Sequence, residues 1–321
     1  MTVLSRISAP PRQSILLCIC RPVRSAPKTS SKLLVKSPTS PTNIWTTNTG
    51  KFIRATAFCS AVAGTSYLVC AIWNYENFRK KIHTFPGAEF LPMQKLYSWQ
   101  EKISRYWKDL NDGKKVVIGL VLVNCVIFLL WQLRSLQPFM RKYFLSNPTS
   151  NIVGIPLLAS MFSHIAPFHL FCNMYVLWSF SDAALHMFGR EQFLYFYMSA
   201  GLFAGLVSLS NKFLRGMHQP SLGASGAIIG ALGAVCTAFP DSKLSIIFLP
   251  MYTFSAGSAL NVLLAFEALG VALRWSFFDH AAHLGGLLFG IWYVKYGHEL
   301  TWAKRKKVLE WWHQLRGHTK K

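Results

Sequence analysis

The sequence predicts an all-α, polytopic membrane protein: one extra N-terminal transmembrane helix followed by a bundle of six. Of the 321 residues, 52% are apolar and only 14% charged, which leaves too little polar surface to coat a water-soluble globule. Several apolar runs approach the roughly 20 residues that cross a bilayer. A few polar side chains sit inside those runs, where insertion is costly and a use is implied.

The net charge of +22 invites a nucleic-acid reading. The basic residues, however, lie at the two ends and between the apolar runs, not in one interleaved patch. Contact with a lipid bilayer accounts for that pattern, and no nucleic-acid partner is expected. The seven cysteines include no CxxC, and five fall in apolar segments. They read as small apolar residues, so neither a disulfide framework nor a metal site is expected.

Residues 1–54 contain no acid, nine Lys or Arg, and abundant Ser, Thr and Pro. This is the composition of a mitochondrial transit peptide, to be set aside from the fold. Residues 55–75 are uncharged and form the extra transmembrane helix. Residues 76–115 mix both charge signs with Trp99 and Trp107, as a connector carrying an amphipathic helix would. The six-helix core occupies 116–296. Its first span, 116–133, ends at the interfacial anchors Trp131 and Arg134. The stretch 135–163 is apolar but broken by Pro138, Pro148 and Pro156, which suits a membrane-embedded loop. Further spans are expected at 167–188, 192–210, 222–239, 257–273 and 280–296. The run 245–251, interrupted by Pro250, reads as a connector, and 297–321 as a basic tail containing tryptophan.

Within these spans His169, Asn173, Ser225, Glu267 and His283 stand out. His169 and Asn173 are four residues apart and share a helix face. Two such donors suit an oxyanion formed in a transition state; read alone, the pair fits interhelical hydrogen bonding at least as well. Ser225 lies in Gly223-Ala224-Ser225-Gly226, where glycines leave a hydroxyl open to approach. A helix start with small packing residues has the same look. Gly226 and Gly230 form one small-residue face, and Gly286 and Gly290, just after His283, form another. Two such faces let helices pack backbone to backbone. That packing would bring the Ser225 hydroxyl to the His283 imidazole, as a base-activated nucleophile requires. Asp279, one turn before His283, would be placed to orient it as a triad acid does, but reads rather as the cap of the His283 helix. Glu267 has no partner that spacing can name, and a hydrogen-bonded packing role or a protonated state suits it better than catalysis.

The set His169-x-x-x-Asn173, Gly223-x-Ser225-Gly226 and Ala282-His283-x-x-Gly286-x-x-x-Gly290 resembles the rhomboid intramembrane serine proteases, their mitochondrial members most of all. Stretches 173–180, 220–227, 277–286 and 289–294 carry the likeness, which covers about 146–302. The resemblance implies a Ser–His dyad without a catalytic acid: Ser225 as nucleophile and His283 as base. It implies an oxyanion hole of His169, Asn173 and the Ser225 amide, with Gly223, Gly226, Gly286 and Gly290 packing the site. No cofactor is implied. The implied setting is the mitochondrial inner membrane, the implied substrates are single-span transmembrane proteins in processing, fusion and quality control, and 275–279 would cap the site. With the N-terminus in the matrix, the dyad would lie toward the matrix half. Ser163 and His164 would line the mouth of its cavity. The alternative is a catalytically inactive relative that binds membrane helices. Two departures stand out: 135–163 lacks the Trp-Arg pair of many bacterial members, and Leu185 replaces an acid in a pattern that falls on Ser181, Leu185 and Gly189.

Overall fold

The computed structural model describes residues 44–83, 99–246 and 249–318. Most of the expected transit region lies outside these residues, as does the middle of the connector. Among the described residues seven helices form the bundle: α1 (Ile44–His83), α3 (Asp112–Gln132), α6 (Pro167–Phe188), α7 (Arg190–Arg215), α8 (Ser225–Ala238), α9 (Ala256–Ala272) and α10 (His280–Trp292). Between them lie α2 (Trp99–Asp109) and, within the proline-broken stretch, α4 (Gln137–Tyr143) and α5 (Gly154–Ser160). The plan is the expected one plus six. Among the described residues three helical stretches are both long and apolar enough to cross a membrane: Asn48–Lys80, Asp112–Gln132 and Arg190–Arg215. The chain is a helical membrane protein.

Local chemistry explains the boundaries. Asn111 caps α3 by accepting from the Gly113 N–H at 2.9 Å. Pro167 opens α6 at the position where its missing N–H costs nothing. Gly189 and Gly216, at φ 71° and 62°, stop α6 and α7 in a conformation that glycine takes freely. Ser255 caps α9 through the Ser258 N–H, and Asp279 caps α10 through the Ala282 N–H. Leu185, where an acid was absent, lies against Gly113 on α3. That apolar contact joins Lys114 of α3, which bonds Ser181 at 2.9 Å and Asp182 at 2.8 Å, in holding the crossing.

The elements differ from expectation in three places. First, α1 runs well beyond 55–75 at both ends, because flanking polar residues find partners. Near its start the Lys51 ammonium reaches the carbonyls of Pro148 and Thr149 at 3.4 and 3.3 Å. Near its end Glu76 holds the C-terminal helix Lys306–His318 through Trp312 at 2.8 Å and through Arg316. The basic tail is therefore docked. Second, the run read as a connector forms an antiparallel hairpin, β1 (Lys243–Ile246) with β2 (Leu249–Ser255). It is the only sheet among the described residues, in an otherwise helical fold. Third, α10 passes into a π turn at Tyr293–Gly297.

The core is centred on α7. Its Phe193, Phe196, Tyr197, Ala200 and Ala204 are fully buried against α8 and α10. The extra helix α1 packs on the other side of α7, where Ala55 and Cys59 meet Leu157, Leu202 and Leu209. The bundle has two ends. At one, the starts of α1, α6, α8 and α10 meet the ends of α7 and α9. At the other, Asn74 and Asn77 of α1 bind Glu191 at the start of α7, and Arg190 bridges Glu191 to Asp112.

Candidate active site

The seam between α8 and α10 brings Ser225 to His283. A methyl group at Gly286 would collide with the Gly226 carbonyl oxygen, and one at Gly290 with that of Gly230. The two helices therefore touch through bare backbone, as their small-residue faces require. Ser225 and His283 head these faces on the same side of the seam. Ser225 Oγ lies 2.8 Å from His283 Nε2, within reach for direct proton transfer.

Ser225 is the first residue of α8, so its N–H has no acceptor within the helix. The turn before it is tightly set. Gly223 sits at φ 131° and donates its N–H to the Ser160 carbonyl at 2.9 Å. Its missing side chain leaves room for the His169 ring: a Cβ there would come within 2.9 Å of the imidazole and 3.8 Å of Ser225 Oγ. His169 thus overhangs the serine. Asn173, one turn on, donates its amide to the His169 carbonyl at 2.9 Å, so in this state it is tied to its own helix.

Ser163 and His164 are not at the mouth of the cavity. Both are fully buried behind the site. His164 accepts a long hydrogen bond from the Ala224 N–H at 3.4 Å and meets the His169 ring edge-on. The tight turn between α5 and α6 folds them inward, bracing the Ser225 loop and the His169 ring.

A cavity of about 280 Å³ reaches His169, Ser225 and His283. Residues 275–279 line one side of it. There the exposed Phe277 and Phe278 stand beside Trp275. This segment leaves α9 through Arg274, held at φ 58° while the Trp275 N–H bonds back to the Gly270 carbonyl at 3.0 Å. Arg274 occupies the left-handed position that usually falls to glycine in this helix-ending turn.

Two carboxylates meet the His283 region in different ways. Asp279 does not orient the imidazole; only its backbone carbonyl bonds to His283, through the peptide N–H. Its side chain, besides capping α10, accepts from Ser208 at 2.5 Å and pairs with Lys212 at 2.8 Å. Burial opposes its ionisation, but the Lys212 charge and these hydrogen bonds outweigh burial and hold its carboxyl below the ordinary value. Lys212 also donates to Ser221 Oγ at 2.7 Å. This ion pair, which no sequence spacing announced, joins α7, the Ser225 loop and the cap of α10. Glu267 is the second carboxylate, and it has the partners that spacing could not name. Its Oε1 lies 3.1 Å from His283 Nδ1, and its Oε2 lies 2.6 Å from His280 Nδ1. Among the described residues no group of three or more His, Cys, Asp or Glu side chains is arranged to hold a metal ion.

Comparison with known proteins agrees with this architecture. The Rhomboid domain family matches residues 154–299. The human presenilin-associated rhomboid-like protein, mitochondrial, is 46% identical over 270 residues, which is 82% of this chain and 71% of that protein. Yeast (Saccharomyces cerevisiae) Rhomboid protein 1, mitochondrial, is 36% identical over 199 residues, 61% of this chain and 57% of its own length. The Bacillus subtilis rhomboid protease GluP is 34% identical over 135 residues, 42% of this chain and 24% of that protein. With identity of this level over most of both partners, the chain belongs to the rhomboid family and is a mitochondrial membrane protein.

Proposed function

We propose that this chain is an intramembrane serine endopeptidase of the mitochondrial inner membrane that cuts single-span membrane proteins with Ser225 and His283. The observation that carries the reading is the 2.8 Å contact between Ser225 Oγ and His283 Nε2, reached by an open cavity. Membership of a family that includes the protease GluP supports it. The inactive helix-binding alternative gives no reason for that contact.

In the proposed cycle His283 Nε2 takes the hydroxyl proton as Ser225 Oγ bonds to the scissile carbonyl carbon. The negative charge passes to the former carbonyl oxygen. In this reading the Ser225 N–H and His169 receive it, with Asn173 joining once its amide turns from the His169 carbonyl. His283 then gives its proton to the leaving amine as the peptide C–N bond breaks. Water entering through the cavity attacks the acyl-enzyme with His283 again as base, releasing the acid and restoring Ser225. A substrate helix must unwind locally to enter, so glycine or proline near the cut favours cleavage.

The test is labelling of the purified chain by a fluorophosphonate together with cleavage of a single-span reporter. Ser225→Ala and His283→Ala should abolish both. Cleavage by Ser225→Ala at the wild-type rate would sink the proposal.

A further inference from the structure

We propose, resting on the reading above, that Glu267 is a positioning residue that extends the Ser225–His283 pair into a three-residue relay. The resemblance implied a dyad without an acid. The structure supplies one from a different helix, α9. Glu267 is 3% exposed, and its two oxygens face the Nδ1 atoms of two imidazoles. An ionised carboxylate only accepts, so each ring donates an Nδ1–H to it. For His283 this leaves the Nε2 lone pair pointing at Ser225 Oγ, the tautomer a general base needs. For His280 it leaves Nε2 buried without a partner. As a bare lone pair, that atom costs less than an orphaned N–H would.

The surroundings fit a built arrangement. Gly270 lies one turn after Glu267 on the same face of α9, and any Cβ there would run into the His280 ring. Phe266, Trp275, Phe277 and Phe278 surround that ring at centroid distances of 5.0 to 6.0 Å. His280 thereby fills the second oxygen of the carboxylate and shields it from water. A shielded charge acts strongly on the imidazolium that forms when His283 takes the serine proton. Asp279 cannot serve instead, because its side chain is committed to Lys212, Ser208 and the Ala282 N–H.

The experiment uses the full chain in liposomes with the single-span reporter, comparing wild type, Glu267→Gln, Glu267→Asp and Ser225→Ala. The measured quantities are kcat, KM, the rate of fluorophosphonate labelling and the thermal midpoint. A glutamine amide would donate to Nδ1 and turn the Nε2–H toward Ser225. Glu267→Gln should therefore lower kcat and the labelling rate by about 10²–10⁴-fold, leaving KM and the thermal midpoint near wild type. Glu267→Asp, which keeps the acceptor, should recover at least about tenfold of that loss. Wild-type kcat and labelling in Glu267→Gln would overturn the inference while leaving the protease reading standing. So would equal losses in the Gln and Asp variants that track a fall in thermal midpoint. Undiminished cleavage by Ser225→Ala would remove both claims.

Discussion

Gly286 and Gly290 present bare backbone to the carbonyls of Gly226 and Gly230, so one methyl group probes the whole seam. Gly286→Ala should push α8 and α10 apart, at a cost of about 1–3 kcal/mol. Because the reacting atoms ride on those helices, an ångström of separation should slow fluorophosphonate labelling about 100-fold. Gly119, with open space around it, is the control: Gly119→Ala should leave labelling unchanged and raise stability by about 0.5–1 kcal/mol. A second residue-scale prediction concerns Asp279. Removing its charge with Asp279→Asn leaves the buried Lys212 uncompensated, and the loss should be about 3 kcal/mol, the lower end for one-sided loss of a buried pair. The folded carboxyl titrates below its unfolded value. The contribution is therefore fully present above the unfolded pKa and is lost only as the pH falls through the lower folded one. Thermal melts at pH 7 and pH 5 should show the same gap between wild type and Asp279→Asn, and melts below the ordinary carboxylate range a narrowing one. The sequence exposed the glycine faces and the residues beside them because those patterns are local, three or four positions apart. It hid the partners of Glu267 because they lie 13 and 16 residues away across a turn between helices. The Lys212–Asp279 pair was hidden for the same reason, being 67 positions apart.

At the scale of elements, hydropathy located the helices to within a few residues but drew α1 and α7 too short. It measures the apolar middle, whereas α1 continues for as long as its polar ends find partners. The hairpin 243–255 was missed because Pro250 reads as an interruption, although its flanks are rich in the β-branched and aromatic residues that strands favour. The docking of the basic tail was not legible because its contacts, Glu76 with Trp312 and Arg316, join distant parts of the chain. Replacing Glu76 with alanine should release the helix Lys306–His318. Hydrogen exchange across 306–318 should then rise well above wild type, with reporter cleavage unaffected, since this helix lies at the end of the bundle away from Ser225.

The whole molecule has a polarity that the helix order dictates. Lys51 and the loop before Ser225 stand at one end. Glu76 and the C-terminal helix stand at the other, 25 residues and about 37 Å along α1. The site should therefore open on the side of the membrane where α1 starts. A single cysteine placed at His218 and one placed at Glu310 should react with an impermeant thiol reagent from opposite faces of sealed vesicles. Labelling of both from one face would contradict the arrangement.

Lys51 connects that polarity to the loop that carries Ser225. Its ammonium braces the carbonyls of Pro148 and Thr149, and Ser146, just upstream, pairs backbone to backbone with Ser221, four residues ahead of Ser225. A protease that trims the N-terminus upstream of Lys51 leaves this brace standing, whereas one that trims past it unfastens the strap under the nucleophile's loop. Loss of the chain through Lys51 should therefore let the Ser225 loop drift, read as slower fluorophosphonate labelling than in a chain that keeps Lys51.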